Sequence, residues 1–74
     1  MEDLDYALRM IPPGHRLWVV RSLRSGSDSP EQVVSRFTTS KQDPAYQPML
    51  RGLVAAKHAT SSYLDLRLKA IDQL

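Results

Sequence analysis

The positions of the prolines constrain the fold of this chain more than any other feature of its sequence. All five lie between Pro12 and Pro48, and residues 49–74 contain none. Proline lacks a backbone N–H and disfavours the helical conformation at the residue before it, so a helix tolerates it only in the first turn. The pattern therefore divides residues 1–47 into short segments and allows one long helix after them.

Two short helices are expected in the first third of the chain. Residues 2–10 place acidic side chains in a first turn, where the helix dipole favours them, and leucines at helical spacing. The sequence IPPG ends this helix. A second helix begins near Pro13 and runs to about Arg24, and Gly26 follows it at the position of a C-terminal glycine cap.

The segment SDSPEQVVSRF contains the start signals of a third helix. Ser29 is the expected N-cap, Pro30 occupies the first helical position, and Gln32 stands three residues after the cap. Serine and glutamine at this spacing form a capping box, in which each side chain satisfies a backbone N–H of the other residue. The sequence therefore predicts a helix of about two turns that begins at Pro30 and ends near Phe37.

The region from Pro48 to Leu74 is predicted as one long helix. Residues at alternating spacings of four and three lie on one face of this helix, which we call the seam: Leu50, Val54, Lys57, Ser61, Leu64, Leu68 and Ile71. An alternative exists for residues 63–69, because apolar and charged side chains alternate there with the period of a half-buried strand. The segment KHATSSY is rich in poor helix formers and leaves room for a break near residue 60.

These segments predict an all-α fold in a single domain covering residues 1–74. Three short helices pack on one long C-terminal helix in a small four-helix domain; with a strand at residues 63–69, the alternative is a winged-helix-like fold. The chain is 42% hydrophobic and contains no cysteine, so its stability must come from packing rather than from disulfides. We expect Trp18 to lie at the centre of that core.

The sequence contains no recognisable catalytic constellation. His15 and His58 are isolated, no cysteine can ligate zinc, and the three glycines do not form a phosphate-binding loop. The acidic start of the sequence is unlike a signal peptide, and its longest apolar runs are far shorter than a membrane span, so neither is expected. We therefore expect a cytoplasmic, non-enzymatic protein that uses no metal, cofactor or small-molecule substrate and does not enter a membrane.

The first functional hypothesis is a small regulatory or adaptor protein that binds another protein, and itself as a homodimer, through the long C-terminal helix. A helix of this length is too long for three short helices to cover, and an uncovered apolar face favours association. The apolar contacts predicted for this interface are Leu50, Leu53, Leu64, Leu68 and Ile71. Arg67 and Lys69 are predicted at its rim, where charges orient a partner.

The second hypothesis is a DNA-binding regulator of the helix-turn-helix type. No acidic residue lies between Tyr6 and Ser27, and the net charge of +2 permits binding to nucleic acid. The residues predicted to contact phosphates are Arg16, Arg21, Arg24 and Lys41, and those predicted to approach bases are Gln47 and Arg51. The simpler interpretation is that the arginines only keep the outer face of an apolar helix in water.

Overall fold

The computed structural model describes residues 2–73, which form five α-helices and contain no strand. The helices are α1 (Glu2–Met10), α2 (Pro13–Ser25), α3 (Pro30–Phe37), α4 (Tyr46–His58) and α5 (Ser61–Asp72). They pack compactly, with a radius of gyration of 11.2 Å over the Cα atoms. The predicted all-α class is confirmed, but there are five helices instead of four.

Local signals set the ends of the first three helices as predicted. In α3 the backbone N–H of Gln32 donates to Ser29 Oγ at 3.2 Å, and the N–H of Ser29 donates to Gln32 Oε1 at 2.8 Å. After α2, Gly26 adopts a left-handed conformation with φ of 81°, and its N–H donates to the carbonyl of Leu23 at 3.3 Å. Glycine adopts this conformation without steric cost, so it ends the helix at Ser25.

The prediction of one long C-terminal helix is wrong. α4 ends at His58, and Thr60 has an extended backbone with ψ of 152°. The side chain of Thr60 accepts a hydrogen bond from the N–H of Tyr63 at 3.2 Å and caps a new helix. Residues 63–69 lie within that helix, so the winged-helix-like alternative with a strand is also wrong. Leu74, the predicted end, lies outside the described residues.

The start of α4 is two residues earlier than the regular helix predicted from Pro48. α4 begins at Tyr46, which places Pro48 in its first turn, where a backbone N–H has no partner within the helix. The connection before it is held by the carboxylate of Asp43, which accepts from the N–H of Ala45 at 2.9 Å and from that of Thr39 at 3.1 Å. These backbone donors lower the pKa of Asp43, with the bond from Ala45 contributing most.

Helices α1 and α4 approach each other closely at Gly52. A Cβ atom added there would lie 2.0 Å from the carbonyl oxygen of Asp3 and 2.6 Å from the Cβ of Ala7. No larger residue fits without moving α1. The main hydrophobic cluster forms beside this contact from Ala7, Ile11, Val19, Leu23, Val33, Val34, Tyr46, Met49 and Leu53.

Helix α5 packs mainly against α1 and closes a second hydrophobic cluster. That cluster consists of Leu4, Leu8, Val20, Ala56, Leu64 and Ile71. Charged hydrogen bonds join the same helix to the rest of the chain, because Arg67 binds Asp5 on α1 and Arg16 on α2 binds Asp72. Packing and ion pairs therefore act together in positioning α5.

Trp18 lies on the surface, with 57% of its area exposed, so the expectation that it is buried is wrong. Val19 and Leu23 fill the inward positions of α2 with smaller side chains, and the indole points away from them. The guanidinium of Arg36 lies over the ring, 5.7 Å from its centroid.

No helix within residues 2–73 has both the length and the apolar character required to cross a membrane.

Candidate interaction surface

The five apolar residues predicted for a protein interface do not share one exposed face. Leu53, Leu64 and Ile71 are buried in the two hydrophobic clusters, with exposures of 0%, 2% and 6%. Leu50 is half-buried against the main cluster. Of the set, Leu68 is half-buried at the edge of the second cluster and also lines an open groove. The expected single face fails because the helix break sends α4 and α5 in different directions.

The two predicted rim residues have different environments. Nε of Arg67 donates to Asp5 Oδ1 at 2.9 Å, and a second nitrogen of the same guanidinium binds Oδ2. This hydrogen bonding to Asp5 raises the pKa of Arg67 above its ordinary value. Lys69 is exposed. Arg67 therefore attaches α5 to α1 while 32% of its side chain stays exposed, and Lys69 lies at the surface.

Arg16, predicted to contact a DNA phosphate, is instead part of the protein interior. It is 8% exposed, and its Nε donates to the carbonyl oxygens of Leu8 at 2.7 Å and Ile11 at 2.9 Å. These carbonyls lie at the C-terminal end of α1, where helices leave such acceptors unsatisfied and favour a positive charge. The guanidinium of Arg16 is therefore already used within the chain, and this burial disfavours the predicted phosphate contact.

Two other predicted DNA contacts also bind groups of their own chain. Arg24 donates to the carbonyl of Ala59, the last residue before Thr60, and Arg51 donates to Asp3 at 2.9 Å. The other three predicted contacts, Arg21, Lys41 and Gln47, are exposed. They lie on α2, on the connection after α3 and at the start of α4, so no single helix presents them.

An open groove of about 560 Å³ lies between α2 and α5. Val20, Leu64 and Leu68 give it an apolar floor. Leu17 rises at one edge with 51% of its area exposed to water. Leu17 and the floor together form a small exposed apolar surface between charged side chains.

Two hydrogen bonds show that α2 and α5 run antiparallel along the groove. Arg24, near the end of α2, reaches Ala59 just before α5 begins, whereas Arg16, near the start of α2, reaches Asp72 at the end of α5. A regular rise along each helix then places Arg21 level with a position of α5 between residues 62 and 67, a range that includes Asp65. The groove therefore has basic side chains, Arg21 and Arg24, on the α2 wall and the acidic side chain of Asp65 on the α5 wall.

The outer face of α2 extends this surface beyond the groove. Trp18 and Arg21 line a second hollow, of about 310 Å³, together with Asp28. Arg21 thus stands between two exposed apolar side chains, Leu17 on the groove side and Trp18 on the other. Tryptophan and arginine are enriched at the centres of protein interfaces, and both are present here.

Sequence reasoning missed Leu17 and Asp65 as surface residues of this site. A signal for Leu17 exists in the run LWVV. A helix advances about 100° per residue, so four consecutive apolar residues cannot all face one core. With Val19 and Val20 inside, Leu17 and Trp18 must be largely outside. Asp65 carries no comparable signal, because its place opposite Arg21 arises from tertiary packing.

Among the side chains of residues 2–73, no cluster of three or more histidine, aspartate or glutamate residues could hold a metal ion. His15 and His58 are both exposed, on α2 and at the end of α4. The candidate interaction surface therefore consists of the groove and the outer face of α2.

The chain matches no family model, no curated protein sequence and no solved structure.

Proposed function

We propose that this protein is a non-enzymatic interaction module that binds an amphipathic helix of a protein partner in the groove between α2 and α5. The observation that carries the proposal is Leu17, which is half exposed beside an apolar floor formed by Leu64 and Leu68. Covering apolar surface contributes about 25 cal/mol per Å², so a partner that fills the groove gains free energy from every side chain that it covers.

The composition of the groove defines the chemistry of that partner. Its apolar floor favours a stripe of leucine-like side chains at positions i, i+3, i+4 and i+7 of a helix. Arg21 and Asp65 on the two walls favour a partner with charges of both signs beside that stripe. Such a helix is the typical ligand of a hydrophobic groove between two helices.

The basic side chains support protein binding better than DNA binding. Of the six residues predicted for DNA, Arg16, Arg24 and Arg51 already donate to groups of the same chain. A phosphate contact of the buried Arg16 would require its bonds to break, whereas the groove is open as it stands. The DNA hypothesis would be favoured by salt-dependent binding to a generic duplex that Arg21→Ala and Lys41→Ala weaken.

The proposal is tested by titrating the ¹⁵N-labelled protein with a synthetic amphipathic peptide of about 18 residues, the length of five helical turns. The peptide carries leucines at i, i+3, i+4 and i+7 and alternating glutamate and lysine elsewhere. We expect amide shift changes concentrated at Leu17, Leu64 and Leu68. Shift changes spread evenly over the five helices, or none, would contradict the proposal.

Leu17→Asp is the informative variant, and Leu66→Asp is its matched control. Leu66 lies on the outer side of α5 and is 67% exposed, so both substitutions place a carboxylate at an exposed leucine of a helix. We expect Leu17→Asp to weaken peptide binding by about tenfold or more, equivalent to about 1.4 kcal/mol, and Leu66→Asp to leave it unchanged. Equal effects of the two variants would contradict a specific groove.

A further inference from the structure

We infer that the partner for this groove is a second copy of the same chain, and that two copies associate groove to groove about a two-fold axis. The inference rests on the proposed function, because it names the partner that the groove binds. It is based on the charges of the two groove walls and on the positions of the charged and apolar residues along the groove.

The first argument concerns Arg21 and Asp65. Both are exposed on the groove walls, and neither makes an ion pair with another residue in the described range 2–73. By contrast, Asp3, Asp5, Asp28 and Asp72 are all paired with arginines. The groove therefore retains unpaired charge of both signs, with Asp65 on the α5 wall and Arg21 on the α2 wall, where Arg24 donates only to a neutral carbonyl.

A two-fold interface brings a surface patch against an identical patch, so the patch must be complementary to itself. A patch of one sign would repel its copy, whereas a patch with one basic wall and one acidic wall matches it. The hollow that carries His58 does not meet this requirement, because it has no acidic side chain. The hollow lined by Glu31 and Lys41 carries both signs but no exposed leucine.

The second argument concerns the antiparallel course of α2 and α5. Rotation by 180° about an axis parallel to the groove keeps each residue at the same position along the groove. It also places the α2 wall of one copy against the α5 wall of the other. Arg21 of one copy then faces Asp65 of the other, and the reciprocal pair forms at the same time. At the next level, Leu17 of each copy faces Leu68 of the other. The arrangement covers the exposed leucine and pairs both unpaired charges.

The size of the molecule indicates a weak dimer. A standard protein interface buries about 800 Å² on each partner, which is a large share of the 4633 Å² accessible surface of this chain. The face made by two short helices is at or below that size. We therefore expect association to be measurable between about 10 μM and 1 mM.

Sedimentation equilibrium over this concentration range tests the inference with Arg21→Asp, Asp65→Arg and the variant carrying both substitutions. We expect the wild-type protein to dimerise and each single substitution to weaken the dimer about tenfold or more. The doubly substituted chain restores part of the self-association, because the charges at positions 21 and 65 are exchanged while Arg24 stays basic on the α2 wall. Both positions are exposed, and thermal unfolding by circular dichroism verifies that every variant is folded.

An equimolar mixture of Arg21→Asp and Asp65→Arg chains is the sharpest comparison. The Arg21→Asp chain then carries an acidic side chain on each wall, with Arg24 as its remaining basic residue, and the Asp65→Arg chain carries basic side chains on both walls. We expect a heterodimer at concentrations where each chain alone is monomeric. A monomeric wild-type protein, a dimer indifferent to the single substitutions, or a mixture that does not associate would each overturn the inference. If the wild type is monomeric but still binds the amphipathic peptide at Leu17, the proposed function stands and only its self-association fails.

Discussion

The guanidinium of Arg16 binds the carboxylate of Asp72, fifty-six positions later in the chain, while its Nε donates to two carbonyls at the end of α1. One side chain thereby connects three helices. It satisfies acceptors that the end of α1 would leave without a donor, and it fixes the far end of α5 beside α2. Because α5 forms one wall of the groove, this residue positions the candidate site without lining it.

Arg16→Met is expected to lower the free energy of unfolding by about 2–3 kcal/mol, because it retains the aliphatic stem but leaves the carbonyls of Leu8 and Ile11 buried without a donor. Urea unfolding measures the change. The control is Arg9→Met, at an exposed arginine of α1, and we expect its effect to stay within about 0.5 kcal/mol. Similar values for the two variants would show that the buried hydrogen bonds of Arg16 contribute little to stability.

Gly52→Ala is expected to destabilise the protein by about 3 kcal/mol. The added methyl group would lie 2.0 Å from the backbone oxygen of Asp3, so α1 must shift to accept it. Gly14→Ala provides the comparison, because nothing lies within 4 Å of a Cβ at Gly14. That change should leave stability unchanged or raise it by up to about 1 kcal/mol. Thermal unfolding of both variants decides the matter: a harmless Gly52→Ala would contradict the close approach of α1 and α4.

The stability of the fold is expected to decline in acid partly through Asp43. Hydrogen bonds from Ala45 and Thr39 lower the pKa of Asp43 in the folded protein below its value in the unfolded chain. The contribution is therefore fully present above the unfolded pKa, near pH 4, and is lost as the pH falls through the lower folded pKa. Asp43→Asn removes this titration while retaining an acceptor for the N–H of Ala45. Unfolding midpoints measured from about pH 6 to pH 2 should fall less steeply for the variant than for the wild type; parallel curves would contradict this role.

Much of the helical organisation could be predicted because its signals are local. The capping box of Ser29 and Gln32, the proline at position 30 and the glycine cap at Gly26 each act within a few residues. Such signals place helix ends with no knowledge of the rest of the fold. The ends of α1, α2 and α3 agree with the sequence analysis for this reason.

The long helix was predicted wrongly because seam spacing does not show whether a helix is continuous. The spacing of Leu64, Leu68 and Ile71 is correct within α5, but Thr60 caps that helix and separates it from α4. Val54, a member of the predicted seam, is 40% exposed, which a continuous buried face would not allow. A threonine cap resembles an ordinary polar residue until the fold shows what its side chain accepts.

The candidate site was predictable only in part. Leu64 and Leu68 were expected at a binding surface, and both line the groove, Leu64 as its buried floor and Leu68 at half exposure. The position of Leu17 beside Leu64 and the bond of Arg16 to Asp72 both join residues more than forty positions apart in the sequence. Periodicity along one helix contains no information about such distant pairings, so the opposition of Arg21 and Asp65 required the tertiary structure.

The most direct measurement of the central claim is an isotope-filtered NOE experiment on a mixture of ¹³C-labelled and unlabelled wild-type protein, at about 1 mM so that a weak dimer is populated. Only contacts between copies give signals. The groove-to-groove arrangement predicts NOEs between the methyl groups of Leu17 in one copy and Leu68 in the other. NOEs confined to the exposed side chains outside the groove, such as Leu66 and Val54, or no NOEs between copies at all, would contradict it.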